Sequence, residues 1–335
     1  MRILISTDAW APQVNGVVRT LEKTSEELTR MGHEVRFVTP QGFWTIPMPT
    51  YPEIRLAMFT RPKVGQIIEE FQPDRIHIST EGTLGLSMRR NCMQRRLPFT
   101  TSFHTRFPEY IRARFGIPAS LPYAGLKWFH GPASAVMVAT RSLESELRAR
   151  GFSNLRLWSR GVDTERFCPR DRSWLDLPRP VFLYVGRVAV EKSIEDFLRL
   201  DLPGSKLVVG DGPLLEDLKI LYPDVTFVGP KFGDDLARHY AAGDVFVFPS
   251  RTDTFGLVVL EALASGLPVA AYPVQGPRDI IGDSPNVGSL DEDLRAAALR
   301  CLTLDPAACR AFALGYSWDV CTKQFVDNLN AAEQP

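Results

Sequence analysis

The sequence predicts an α/β chain built from two doubly wound, parallel-sheet domains in tandem. Three observations carry this. Short apolar runs of strand length alternate with helical stretches in both halves of the chain, the mark of βαβ units. That rhythm is lost once, between 158 and 180, where WSRGVDTERFCPRDRSWLDLPRP is rich in Pro, Arg and Asp, and then restarts; this stretch reads as the interdomain connection. The length of 335 residues suits two domains, and 44% hydrophobic residues supply a core for each.

RILIST opens the first half as a strand. The following helix has Val18, Leu21 and Leu28 among its apolar positions, and EVRFVTP, entered through Gly32-His33, is the next strand. RIHIST (75–80), FTTSF (99–103) and AVMVAT (135–140) continue the strands, with helices expected over 62–72, 82–96, 106–115, 121–131 and 141–150. QGFWTIPMP (41–49) reads as a loop exposing Phe43 and Trp44. In the second half the strands are VFLYVG (181–186), KLVVG (206–210), VTFVG (225–229), DVFVFP (244–249) and LPVAAY (267–272), with helices over 193–200, 213–221, 233–242 and 256–265. A last helix (317–331) follows both halves. In two-domain folds of this type such a helix can cross back, which gives domains 1–160 with 318–335, and 161–317.

Bulk composition excludes several classes. Lys+Arg and Asp+Glu are both 39, so the basic excess of a nucleic-acid binder is missing. Five scattered cysteines form no CxxC pair, which argues against a zinc site and for a reducing compartment. No signal-peptide core and no run of 18 apolar residues appears, so a cytoplasmic protein is expected, with attachment to a membrane surface left open.

Doubly wound sheets place ligands at the carboxyl ends of their strands. If two such edges face each other, the cleft between the domains is the default site. The ligand is not a dinucleotide, because no GxGxxG follows the first strand; Gly210-Asp211-Gly212 is only a GxG. A GxxxxGK[ST] loop is absent too.

Four signals are sharper. Asn15-Gly16-Val17 stands at the mouth of the first helix, where a glycine admits close approach and the helix end favours an anion; a plain βα turn accounts for it equally well. Gly186, Arg187 and Lys192 follow the strand VFLYVG, and a guanidinium with an ammonium there suits a diphosphate. Basic residues in a loop are more often a solvated surface. In SRTDTFGLVVLEALASGLPV (250–269), Asp253 and Glu261 are eight residues apart, and the first helical amides near Phe255 to Leu257 would point at an anion. Glu261 lies among apolar helix residues and needs a partner: a pair of ribose hydroxyls, or the commoner helix ion pair. His104 ends the strand PFTTSFHT and is placed for a cleft, although a satisfied core histidine is the commoner case for any single His. His33, His77, His130 and His239 are assigned to that commoner case.

Taken in order, NGV (15–17), SFHTRFPEY (102–110), RGVDTERFCP (160–169), VGRVAVEK (185–192), VGDGP (209–213) and SRTDTFGLVVLEALASGLPV (250–269) make the chain resemble glycosyltransferase family 4, retaining enzymes of the GT-B fold. The resemblance covers nearly the whole chain. It implies two Rossmann-like domains facing a central cleft, the N-terminal one binding acceptor and the C-terminal one donor. By the resemblance, Arg187 and Lys192 neutralise the donor diphosphate and leaving nucleotide, and Glu261 binds ribose. Asp253 with the backbone of Thr254, Phe255, Gly256 and Leu257 holds hexose and phosphate. Gly16 lets the N-terminal loop close over the diphosphate, Gly210 and Gly212 shape the nucleoside pocket, and His104 approaches the transferred sugar. The family usually has Glu where this chain has Asp253, which shortens the acid by a methylene. No cofactor or metal is implied, the nucleotide-sugar being a co-substrate.

The acceptor is less legible. Between Ser87 and Gly116 there are seven arginines (89, 90, 95, 96, 106, 112 and 114) against one acid, Glu109, with aromatic residues interleaved. Such a face, with Arg89, Arg90, Arg95 and Arg96, suits anionic lipid at the inner face of the cytoplasmic membrane; a solvated face over an ordinary core is the plain alternative. Within the family, the text is most similar to bacterial glycolipid synthases and to GDP-mannose-dependent α-mannosyltransferases. The resemblance therefore points first to UDP-glucose or a related UDP-sugar and a lipid such as diacylglycerol, and second to GDP-mannose with a lipid or glycan acceptor. A non-catalytic sugar-nucleotide-binding protein is the rival of another class.

Overall fold

Along the first strand, β1 (Arg2–Ser6), Ile3 and Ile5 pack into one apolar cluster and Leu4 into another. A strand with both faces buried needs helices on both sides, and this sets the architecture. The computed structural model describes residues 1–11, 16–48, 51–104, 118, 120–251, 255–282 and 284–331, with the backbone alone at 48 and 51–54. The chain divides into two units, Met1–Arg160 with Trp318–Pro335, and Gly161–Ser317.

Unit 1 runs β1, α1 (Gly16–Arg30), β2 (Glu34–Val38), β3 (Thr45–Met48), β4 (Tyr51–Ala57), α2 (Thr60–Phe71), β5 (Arg75–Ile78), α3 (Thr83–Arg95), β6 (Thr100–Phe103), α4 (Ser120–His130), β7 (Ala135–Val138), α5 (Arg141–Ala149) and β8 (Leu155–Leu157). Its six-stranded parallel sheet has the order β2-β1-β5-β6-β7-β8. The helix ends are specified locally: the Thr140 hydroxyl caps α5 by accepting from Leu143 N at 3.2 Å.

Unit 2 runs β9 (Val181–Val185), a 3₁₀ turn (Val190–Lys192), α6 (Ile194–Leu198), β10 (Ser205–Val209), α7 (Leu215–Leu221), β11 (Thr226–Phe227), α8 (Gly233–Ala242), β12 (Val245–Phe248), α9 (Leu257–Ala264), β13 (Val269–Ala271), α10 (Gln275–Ile281), β14 (Gly288–Leu290), α11 (Leu294–Cys301) and α12 (Pro306–Leu314). Its sheet order is β11-β10-β9-β12-β13-β14, again parallel.

The final helix, α13 (Trp318–Asn330), packs in unit 1. Its stripe Cys321, Phe325 and Leu329, spaced four apart, closes the cluster of Ile3, Ile5, Leu21, Leu28, Met137 and Trp158.

Several details differ from the expectation. Residues 41–49 are not simply a loop: Thr45–Met48 pairs antiparallel with β4, and Phe43 packs against the core under Lys63. Trp44 is exposed. The Pro- and Arg-rich stretch is not a loose connection either. Trp158 is buried in unit 1, while Val162, Phe167, Leu175 and Leu177 pack on the unit 2 core. The helix expected over 106–115 lies outside the described residues.

Candidate functional site

In a doubly wound sheet the ligand crevice opens where the strand order reverses. In unit 2 that point lies between β9 and β12, which pair side by side. Arg187 and Lys192 follow β9, and Gly256, Leu257 and Glu261 follow β12, so the order of strands brings these segments to one point of one edge.

The segment after β9 is held by backbone bonds. The Tyr184 hydroxyl donates to the Arg187 carbonyl at 2.7 Å, and Val188 N donates to Asp211 O at 2.8 Å, which ties it to the loop after β10. Gly210 and Gly212 make that tie possible. A Cβ on Gly210 would lie 1.9 Å from the Gly186 carbonyl oxygen, and one on Gly212 would lie 2.2 Å from that of Val188. These glycines therefore have a packing reason before any ligand is considered. Arg187 is 64% exposed at the side chain and lies 3.6 Å from Glu191, an arrangement worth little to stability. Lys192, half-buried, ends the 3₁₀ turn.

Gly256 precedes α9 with φ 84°, a left-handed conformation that favours glycine. Phe255 and Leu257 flank it, and Glu261 falls on the second turn of α9, where the Tyr240 hydroxyl donates to its Oε2 at 2.8 Å. A neutral phenol thus meets this carboxylate. Asp253 and Thr254 lie outside the described residues. The segment entering them is anchored by Arg251, which pairs with Glu292 at 3.1 Å and stacks 3.5 Å over the Tyr272 ring. Tyr272 in turn donates to Asp196 at 2.9 Å. Sequence reasoning missed this anchor, whose members come from four segments.

In unit 1 the strand order reverses between β1 and β5. Gly16 opens α1 there, and nothing among the described residues comes within 4 Å of a Cβ built on it. Asn15 lies outside the described residues. Asp8, buried and not foreseen, fastens the segment after β1. Its carboxylate accepts from Leu84 N at 2.9 Å, Gly85 N at 3.3 Å, and the hydroxyls of Thr80 and Thr83, all at the start of α3. Burial raises its pKa above the ordinary carboxylate value, and these bonds oppose the rise.

His104 stands one residue beyond β6, half-buried. Its Nδ1 lies 2.9 Å from Arg160 Nη2, and its Nε2 lies 2.9 Å from Ser79 Oγ. Burial, with Arg160 and the neighbouring His77 and His130, holds its pKa well below the ordinary histidine value. His77 and His130 are satisfied core histidines. The first spans Thr100 and Ser102, and burial takes its pKa down to about 3. The second spans Thr101 and Glu81. His239 is buried against Asp235, whereas His33 is only half-buried beside the N-terminus.

The basic face needs correction. Arg89 is not a free surface cation: it donates to the carbonyls of Phe129 and Trp128 and stacks 4.0 Å over Trp128. Arg95 bonds Asn91 and Glu69. Arg90, Arg95 and Arg96 are exposed. Among the described residues no helix is long and apolar enough to cross a membrane, and no three metal-ligating side chains converge.

The family model described as Glycosyltransferase Family 4 matches residues 14–166, and that described as glycosyl transferases group 1 matches residues 179–304. The GDP-mannose-dependent alpha-mannosyltransferase of Mycobacterium tuberculosis is 30% identical across 99% of this chain and 97% of its own length. The chain belongs to glycosyltransferase family 4. Sulfoquinovosyl transferase SQD2 of Arabidopsis thaliana is 35% identical to this family 4 chain over 80% of it, and the chain spans only 58% of that protein. The alpha-monoglucosyldiacylglycerol synthase of Streptococcus pneumoniae is 27% identical, over 91% of this chain and 79% of the relative. Two solved structures show the GT-B fold. Sucrose-phosphate synthase from Thermosynechococcus elongatus has a TM-score of 0.71 at 24% identity, covering 97% of each chain. Anabaena HepE, solved with UDP, has 0.74 at 16% identity, covering 99% of this chain and 100% of that one.

Proposed function

We propose that this family 4 glycosyltransferase moves a hexose from a UDP-sugar, UDP-glucose first, to a membrane lipid, diacylglycerol first, with retention of configuration and without a metal ion. The observation that carries the proposal is the convergence of Arg187, Lys192 and the start of α9 at the reversal of strand order in unit 2. Two cations and a helix end are suited to a departing diphosphate, and preorganised charge of this kind is usually the largest single contribution to catalysis. In this reading Glu261, steadied by Tyr240, takes the ribose hydroxyls. Asp253 and the backbone of Thr254, Phe255, Gly256 and Leu257 hold the hexose and phosphate. Gly210 and Gly212 border the nucleoside, Gly16 leaves room for the diphosphate, and His104 faces the sugar. The glycosidic bond to phosphate breaks as the acceptor hydroxyl attacks from the same face. Its proton passes to the departing phosphate oxygen.

The lipid acceptor is supported by the S. pneumoniae relative, whose name denotes a diacylglycerol product, and by exposed Trp44, Phe59, Leu121 and Trp128 in unit 1, which also exposes Arg90 and Arg96. They would rest on the inner face of the cytoplasmic membrane. A second reading, GDP-mannose as donor, is favoured by the full-length match to the mycobacterial mannosyltransferase.

The test incubates the protein with diacylglycerol vesicles and UDP-glucose, UDP-galactose, UDP-glucuronate or GDP-mannose, with and without EDTA, and reads products by mass spectrometry and anomeric NMR. An α-linked hexosyl lipid from a UDP-sugar, formed equally with EDTA, is expected. A mannosyl product alone would transfer the claim to the second reading. Nucleotide binding with no product would favour a non-catalytic binder.

A further inference from the structure

Arg160 is 9% exposed, and among the described residues its guanidinium meets no carboxylate. It donates to the Trp158 carbonyl at 3.3 Å, stands 5.3 Å from the Trp158 ring centre, and places Nη2 2.9 Å from His104 Nδ1. A buried cation that meets no carboxylate among the described residues is costly, so its retention calls for a local reason. Burial draws its pKa down to about 10, still cationic at neutral pH. It is also the last residue of unit 1 before the chain passes into unit 2.

A guanidinium has only donors, and at neutral pH it does not give one up. The ring nitrogen it faces must therefore be the bare one. His104 then carries its proton on Nε2, where Ser79 Oγ accepts it at 2.9 Å. A second proton on Nδ1 would set two donors against each other beside a positive charge. The other groups facing the ring act in the same direction or are neutral. His77 and His130 lie on the flanking elements, the Trp158 ring is 5.8 Å away edge-on, and no acid among the described residues touches the imidazole.

We propose that Arg160 is a positioning residue that holds His104 as a neutral imidazole with N–H at Nε2, so that His104 serves the reaction as a hydrogen-bond donor and not as an acid or base. The inference rests on the proposed placement of His104 against the transferred sugar. Ser79 Oγ holds the N–H in the resting site, and a sugar hydroxyl takes its place when the donor is bound. Neutrality also keeps a second positive charge away from a centre where an oxocarbenium-like sugar develops.

The test is ¹⁵N NMR of the imidazoles in the full chain from pH 5 to 8, beside steady-state transfer. In the native protein His104 should show a bare Nδ1 and a protonated Nε2 throughout. Arg160→Met should let His104 titrate near the ordinary value of about 6.5 and mix its tautomers. In that variant kcat should fall by about ten- to a hundredfold with little change in donor KM, and a new acid limb should appear in the kcat profile. Arg160→Lys, which keeps a charged donor, should recover part of both. A native His104 protonated at Nδ1, or charged at pH 6, overturns the proposal, and this needs no variant to fold. An Arg160→Met protein whose His104 signals and acid limb match the native ones overturns it as well. Full transfer by His104→Ala would instead remove the placement of His104 against the sugar, leaving the tautomer result to stand separately.

Discussion

The two units share a plan but differ in what their strand ends carry. In unit 2 the sheet is apolar to its edge: β9 is VFLYV and β12 is VFVF, and the polar groups begin only in the loops beyond. Arg187 is consequently exposed, anchored through its backbone carbonyl and lying 3.6 Å from Glu191 at the surface. In unit 1 the polar chemistry runs back into the sheet. His77, Thr100, Thr101 and Ser102 are buried within β5 and β6, and His104 and Asp8 are already bonded to protein partners. One edge presents charge on its loops, and the other presents preset hydrogen bonds. The comparison teaches that an edge suited to a charged donor can be built from loops alone, whereas an edge suited to orienting neutral groups draws on buried strand positions.

The comparison can be broken in four ways. The largest effect is expected from Phe325→Ala, which empties the helix seam between α13 and the unit 1 sheet. It should cost about 3–5 kcal/mol. Hydrogen exchange should accelerate in β1, β5 and β7 and not in β9 or β12; equal acceleration in both would erase the distinction between units. Next, Lys192→Ala should lower transfer by about a hundred- to a thousandfold with the circular dichroism spectrum unchanged, and native turnover would remove the charged edge from the mechanism. Third comes acid. The folded pKa of His77 is about 3 against an ordinary 6.5, so the unfolded chain takes up the proton first as pH falls. Stability should be level above pH 6.5 and decline below it, by up to about 1.4 kcal/mol per pH unit until the folded value is reached. Urea midpoints at pH 7.5 and 5 should show this, and His77→Gln should flatten the slope. The smallest effect is at the membrane. Arg90→Gln and Arg96→Gln should each weaken sedimentation with anionic vesicles by about fivefold, while Arg95→Gln, already committed to Glu69, should change it less.

The strands with apolar runs, β1, β7, β9, β10, β12 and β13, were legible because burial on both faces leaves a continuous signal. β8 and β14, three residues each, left none, and neither did three of the four helices after residue 274. The β3–β4 hairpin was missed because Gly, Pro and aromatic residues in 41–49 read as an exposed loop. At the candidate site, the places of Arg187, Lys192 and Glu261 in βα segments were readable. Asp8 and Arg160 were not: their partners lie 76 and 56 residues away, and nothing local marks them. Arg89 looked like free surface charge until the fold supplied Trp128, and Arg95, still exposed, is paired with Glu69.

By itself the sequence determined the alternation of strand and helix, and with it two parallel sheets and the edge on which their loops gather. Periodicity and turn chemistry are local properties of a chain, and they are written in its order. Tertiary structure alone decided which nitrogen of His104 carries the proton, which arginines remain available, and why Gly210 and Gly212 admit no side chain. Each of these depends on a hydrogen bond or a close approach between segments distant in the chain, and such distances exist only after folding.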